Sequence, residues 1–164
     1  MTAYDAREWT DFLVACAGGS AALAGLVFVA VSINVDRILQ LPGLPERALA
    51  TVLLLLSVVL TSLIGLIPGR SSTALAVEWL GVGLVFLALI FALTRRSTAG
   101  HELRRQYALS RSLLAALGTV PVLLGAVSLL AEAGGGICWV AVGVLLATAG
   151  PVANAWMLLI EILR

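Results

Sequence analysis

Gly19-Ser20 could present a serine nucleophile inside an apolar stretch, Asp36 a carboxylate beside one, and Cys16 and Cys138 two thiols; His101 is the only imidazole. These are the residues whose types permit covalent or metal chemistry, and their spacing argues against it. A serine needs a base within hydrogen-bond reach, and His101 sits in a basic connection outside the apolar stretches. Asp36 is the one aspartate near a span, so an intramembrane aspartyl pair is missing. One histidine and two separated cysteines do not make an ordinary zinc or haem site, and no CxxC is present. The expectation is therefore no catalytic set, no cofactor, no metal and no enzyme. The two thiols read as small apolar side chains in lipid, with a Cys16–Cys138 disulfide across the outer helix ends as the alternative.

The elements that carry these residues are set by hydropathy. Of the 164 residues, 61% are hydrophobic and 12% charged, with a mean hydropathy of +1.09, which leaves almost no soluble part. A helix needs ~20 apolar residues to cross a ~30 Å hydrocarbon core, and five segments qualify: 12–35, 47–67, 73–94, 112–131 and 137–163. Fusing the last two would require one helix to take in Glu132 and the triplet Gly134, Gly135 and Gly136, so they are separate. All ten basic residues are arginines. With five spans, Arg7 and Arg70 fall on one face, and Arg37, Arg47, Arg95, Arg96, Arg104, Arg105, Arg111 and Arg164 on the other. The positive-inside rule then puts the N-terminus outside and the C-terminus in the cytoplasm. Trp9, Trp79 and Trp139 fall at the outer interface and Trp156 at the inner one, where indoles are favoured. The reading is an all-α integral membrane protein of five transmembrane helices, a single domain over 1–164 with a basic cytoplasmic connection at 95–111, multi-pass in a bacterial cytoplasmic membrane. A net charge of +1 gives no reason to expect nucleic acid.

Start and stop signals refine the boundaries. Thr2 with Asp5 three residues on resembles a capping box that would open a short interfacial helix carrying Tyr4 and Trp9. The first helix is expected to run on through Asp36 and Arg37 to about Gln40, where Leu41-Pro42-Gly43-Leu44-Pro45 stops it. Pro45 serves as a first-turn proline. Pro68 and Gly69 end the second span, and Ser71 or Ser72 caps the third. The run from His101 to Arg111 continues the fourth helix into the cytoplasm. Its arginines suit an anionic leaflet, at roughly 1 kcal/mol each, with an anion-binding vestibule as the alternative.

Within the membrane, small residues crowd one face of the first helix: Gly18, Ala21, Ala22 and Gly25, with Ser32 continuing the seven-residue spacing of Gly18 and Gly25. Such faces let backbones approach closely, so this helix is expected to be central and tightly packed, within its own bundle or around an oligomer axis. Ser57, Thr61 and Gly65 form a mildly polar stripe expected to face another helix. Pro121 and Pro151 each remove a ladder hydrogen bond near mid-membrane, freeing the carbonyls of Leu117 and Ala147, so a kink or local cavity is expected there. Thr119, Thr148 and Asn154 are placed to answer those carbonyls. Ionisable groups avoid the middle: Glu78 and Glu132 lie toward the outer side, and Asn34, Asp36, Arg37, Asn154 and Glu161 toward the inner. Interfacial solvation and interhelical pairing account for them; the sharper reading is a hydrophilic pathway from Glu78 or Glu132 at its outer mouth to Ser32, Asn34 and Asp36, with Pro121, Pro151 and Asn154 as gating elements.

Trp9-Thr10-Asp11-Phe12, the run from Gly19-Ser20-Ala21-Ala22 through Val31-Ser32-Ile33-Asn34, and Leu44-Pro45-Glu46-Arg47-Ala48 resemble a family of small multi-pass proteins from high-GC Gram-positive bacteria. Most members carry no assigned function, and some are labelled modulators of a membrane-bound ATP-dependent protease. The resemblance covers mainly the first third of the chain, transfers no catalytic residue and implies a multi-pass fold. The functional expectation is a homo-oligomeric channel or pore-type transport protein for ions or small solutes. The alternative is a non-catalytic accessory subunit of another membrane complex. The partners expected are the lipid bilayer, further copies of the chain, or another membrane protein.

Overall fold

The computed structural model describes the backbone of residues 3–40, 44–98 and 102–163 and the side chains of 3–40, 44–93, 95 and 116–153. Every regular element among the described residues is helical. After a 3-10 turn at Ala6–Trp9 come α1 (Thr10–Ile33), α2 (Val35–Gln40), α3 (Leu44–Gly65), α4 (Ser72–Thr98), α5 (Glu102–Leu130) and α6 (Ile137–Leu163). Three stretches, Ala6–Ile33, Leu44–Gly65 and Ser72–Leu93, are long and apolar enough to cross a membrane, and shorter apolar stretches, Ala116–Leu130 and Ile137–Ala153, lie within α5 and α6. Their outward faces carry Leu26, Phe28, Ile33, Leu84 and Leu145, each more than half exposed. Wetting such a surface costs ~25 cal/mol per Å². The exterior fits a membrane helical protein, with apolar side chains turned outward and backbone groups paired inside helices.

The helix ends follow local chemistry, with two departures from expectation. Asp5 caps the first turn, its Oδ1 accepting from the Arg7 amide at 3.0 Å, and the element it opens is 3-10; Thr2 lies outside the described residues. The first long helix does reach Gln40, but in two pieces. Asn34 Nδ2 donates to the Ala30 carbonyl at 2.9 Å while the Asn34 amide turns to Val31 O at 3.2 Å. A side chain that bonds its own backbone in this way interrupts the ladder. The short helix that follows places Ile38 against Leu44. Ser71 caps α4 by accepting from the Ala74 amide at 3.2 Å. Pro45 sits in the first turn of α3, where its missing N–H is harmless. The basic run and the fourth apolar segment form one continuous helix, α5.

Four helices form a ring of neighbours: α3 lies beside α4 and α6, and α5 closes the ring between them. The core cluster draws Val58 from α3, Leu75, Ala76 and Trp79 from α4, Val122, Ala126 and Leu129 from α5, and Ile137, Val140, Val144 and Ala147 from α6. α1 stands outside, packed mainly on α3. It reaches α6 through Ser20 Oγ and Thr148 Oγ1, 3.4 Å apart.

This placement corrects one expectation, that the first helix is central within its own bundle. The first helix is peripheral: α1 buries only Leu13 and Ser20. Gly18, Ala21, Ala22 and Gly25 are exposed, and a Cβ built on Gly18, Gly19 or Gly25 meets nothing within 4 Å. Close backbone packing occurs between α5 and α6 instead. A Cβ on Gly125 would stand 2.8 Å from the Val140 amide nitrogen, one on Gly143 2.8 Å from the Val122 nitrogen, and one on Gly118 2.8 Å from Ala147 Cα. These contacts make antiparallel rungs in which a valine or alanine of one helix fills a space a glycine of the other leaves. Trp79, expected at the outer interface, turns inward to the other helices. It is fully buried, its Nε1 donating to the Thr61 carbonyl at 2.9 Å, with its ring over Gly65. Trp139, by contrast, is 43% exposed, with its Nε1 on the Gly134 carbonyl at 2.8 Å.

Candidate functional site

Polar groups in the ring come from hydroxyl residues. Ser57 and Thr61 on α3 and Thr119 on α5 line a cavity of about 10 Å³ bounded also by Gly83, Gly118 and Ala147. Thr61 and Thr119 are 3% and 5% exposed, and the Ser57 hydroxyl donates to the Leu54 carbonyl at 2.7 Å. The polar stripe of α3 thus faces other helices, as its spacing predicts. Pro121 and Pro151 are both buried, and Ala147, whose carbonyl loses its helical donor at Pro151, is one of the cavity walls. Thr148 turns its hydroxyl to Val144 O at 2.8 Å. Buried Ser62, fully enclosed on α3, is a polar residue that the pattern gave no reason to single out.

The remaining residues of the expected pathway do not converge. Ser32 is exposed on α1 and bonds its own helix at Phe28 O, 2.8 Å. Asn34 is committed to Ala30, and Asp36 is exposed on α2. All three therefore sit on the peripheral helices, outside the ring. At the other end, Glu78 pairs with Arg70 at 2.5 Å. Glu132 is exposed in the α5–α6 turn with φ of 50°, an unusual backbone state for a residue with a side chain. The side chains of Asn154, Trp156 and Glu161 lie outside the described residues, as do those of the arginines from Arg96 to Arg111.

The end of the ring near Glu132 is closed by the start of the chain. Gly134, Gly135 and Gly136 all have positive φ, which glycine adopts without steric cost. Ser128 Oγ accepts from the Gly136 amide at 2.9 Å and donates to the Ala133 carbonyl. Over this turn lies the N-terminal segment. The Ile137 amide donates to Ala3 O at 2.8 Å and the Gly135 amide to Tyr4 Oη at 3.2 Å, so residues from the first turn of the chain satisfy donors at the start of α6. Tyr4, Trp9 and Phe12 pack against the core cluster beneath. A Cβ at Gly136 would collide with Ala3 O and the Tyr4 ring. Gly136→Ala should thus release this strap at a local cost on the order of 1–3 kcal/mol. Hydrogen exchange at the amides of Tyr4 to Trp9 should accelerate about tenfold or more; unchanged exchange would show that the strap is not held by the turn.

No group of three or more His, Cys, Asp or Glu among the described residues could hold a metal ion. Cys16 and Cys138 are free thiols. What the ring offers chemically is hydrogen bonding by hydroxyls and a freed carbonyl, and what α1 offers is an unfilled small-residue face. No protein-family model, no curated protein and no solved structure matches this chain.

Proposed function

We propose that all five long helices span the bilayer, with the N-terminus outside and the C-terminus in the cytoplasm, and that the protein is a non-catalytic accessory subunit that binds another membrane protein through α1. The lengths of α5 and α6, 29 and 27 residues, support five spans, since each includes an apolar stretch and room to extend beyond it. The arginine skew supports the orientation. Cys138 supplies a test without a probe being introduced: in a Cys16→Ser background, a membrane-impermeant maleimide should label exposed Cys138 on intact cells. Labelling only after permeabilisation would invert the topology.

The observation that carries the accessory reading is the open face of α1. In lipid there is no hydrophobic drive between helices, so association relies on close backbone approach and dispersion. Gly18, Ala21, Ala22 and Gly25 provide the surface for it, and the chain's own helices do not use it. Small side chains draw helices together, which suits docking better than the lining of a lumen. A photocrosslinker at Ala21, activated in native membranes, should capture a different membrane protein. Adducts with further copies of this chain alone would count heavily against the reading.

The second reading, a homo-oligomeric pore for ions or small solutes, rests on the same open face of α1, which further copies of the chain can also fill. Closed assemblies of four or more 17.0 kDa chains in native mass spectrometry would support it. If such an assembly conducts, rings of Asp36, Glu78 and Glu132 should set its selectivity. Neutralising each in turn without altered ion preference in planar bilayers would remove that mechanism.

A further inference from the structure

We propose that the ring of α3, α4, α5 and α6 binds a single water molecule in its central cavity, bridging the hydroxyls of Ser57 and Thr61 and the Ala147 carbonyl. The five-span reading enters only in placing this site near mid-membrane; the site itself follows from the ring.

Size and chemistry agree on this occupant. The cavity measures about 10 Å³, close to the least space that holds one water by this measure and too small for a solute with several heavy atoms. A cavity of that size stays dry when its walls are hydrocarbon, but a water with two to four polar partners is retained. Three hydroxyl residues from two different helices border it. Ser57 has committed its proton to Leu54 O at 2.7 Å, so toward the cavity its oxygen can only accept. Ala147 supplies the complementary feature. Pro151 has no N–H to give to the carbonyl four residues back, and inside a bilayer a helix carbonyl left this way is answered by a neighbouring side chain or an ordered water. The nearest hydroxyl on its own helix, Thr148, is turned to Val144 O at 2.8 Å. A water can give one proton to Ala147 O and the other to Ser57 Oγ while accepting from the Thr61 hydroxyl, satisfying partners on α3 and α6.

Water-edited solid-state NMR on the full chain in lipid nanodiscs, with threonine, alanine and leucine labelled, tests this directly. Magnetisation from water should reach Thr119 and Ala147 and be absent from Leu145, which is exposed to lipid at the same depth of α6. Transfer should be lost at Ala147 in Pro151→Ala, which returns a donor to that carbonyl, and at both positions in Ser57→Ala/Thr61→Val. No transfer to Ala147 in the unaltered protein would overturn the site, whatever the variants do. Transfer extending to buried Leu54 and Leu55, along the whole interior face of α3, would equally overturn it, since that result describes a continuous wet path. Neither result bears on whether α1 binds a partner, so the two proposals fail separately.

Discussion

Gly125→Leu should abolish the folded ring, whereas Gly25→Leu, the same exchange at a matching position of α1, should leave it standing. Even a single methyl group on Gly125 would sit 2.5 Å from Val140 Cγ2 and 3.0 Å from the Gly136 carbonyl. Overpacking by one or two methylenes typically costs about 1–3 kcal/mol, and here the obstacle is backbone, which cannot rotate away. A leucine would force α5 and α6 apart along a seam that Gly118 and Gly143 share, at a cost comparable to the ~5–15 kcal/mol stability of an ordinary domain. At Gly25 a new side chain enters open space. The expected loss is instead in partner capture by the α1 crosslinker. Reversible unfolding in mixed micelles, followed by near-ultraviolet dichroism, separates the two. Equal destabilisation by both exchanges would show that α1 packs inside the ring after all.

Trp79→Ala is expected to lower stability by about 3 kcal/mol, and Trp79→Phe by roughly a third of that. Trp79 heads the fully buried side chains. In a soluble protein, truncating it would lose both transfer and cavity contributions. In a bilayer the unfolded reference also leaves the side chain among hydrocarbon, so the transfer part largely cancels and the lost packing against Leu13, Gly65 and the core dominates. The hydrogen bond from Nε1 to Thr61 O contributes the smaller share, on the order of 0.6 kcal/mol for membrane-buried pairs. Phenylalanine keeps most of the packing and drops the bond. If the phenylalanine variant fell as far as the alanine variant, the hydrogen bond, and not the ring volume, would be holding α4 to α3.

The accessory reading and the ring's architecture bear on each other. A helix outside a closed ring can exchange neighbours without unfolding the rest, and α1 has that position. Its attachment rests on Leu13 over Gly65, the Ser20–Thr148 contact and the aromatic strap of Trp9 and Phe12, whose rings meet edge to face at 5.9 Å. The lipid-facing remainder of α1 is free to meet a second protein.

Much of this was legible from the residues alone. Composition and hydropathy sufficed for an all-helical chain, because a span of lipid leaves backbone groups no partner except their own helix. The last helix starts and ends where the pattern places it, since the glycine triplet before Ile137 is a local stop signal. Ser71 as a cap, Pro45 in a first turn and the inward face of Ser57 and Thr61 follow equally from short-range chemistry. Which glycines meet a neighbour did not. Gly18 and Gly25 carry the same seven-residue spacing as Gly118 and Gly125, yet the first pair is open and the second is closed on α6. Spacing specifies only that a face is thin. Whether another backbone comes to fill it depends on which helices the connections bring side by side, and the short α5–α6 turn makes that choice. The same holds for Trp79, whose burial depends on α3 lying across it, and for the strap, where Ala3 finds Ile137 only because the fold carries the N-terminal segment to the start of α6.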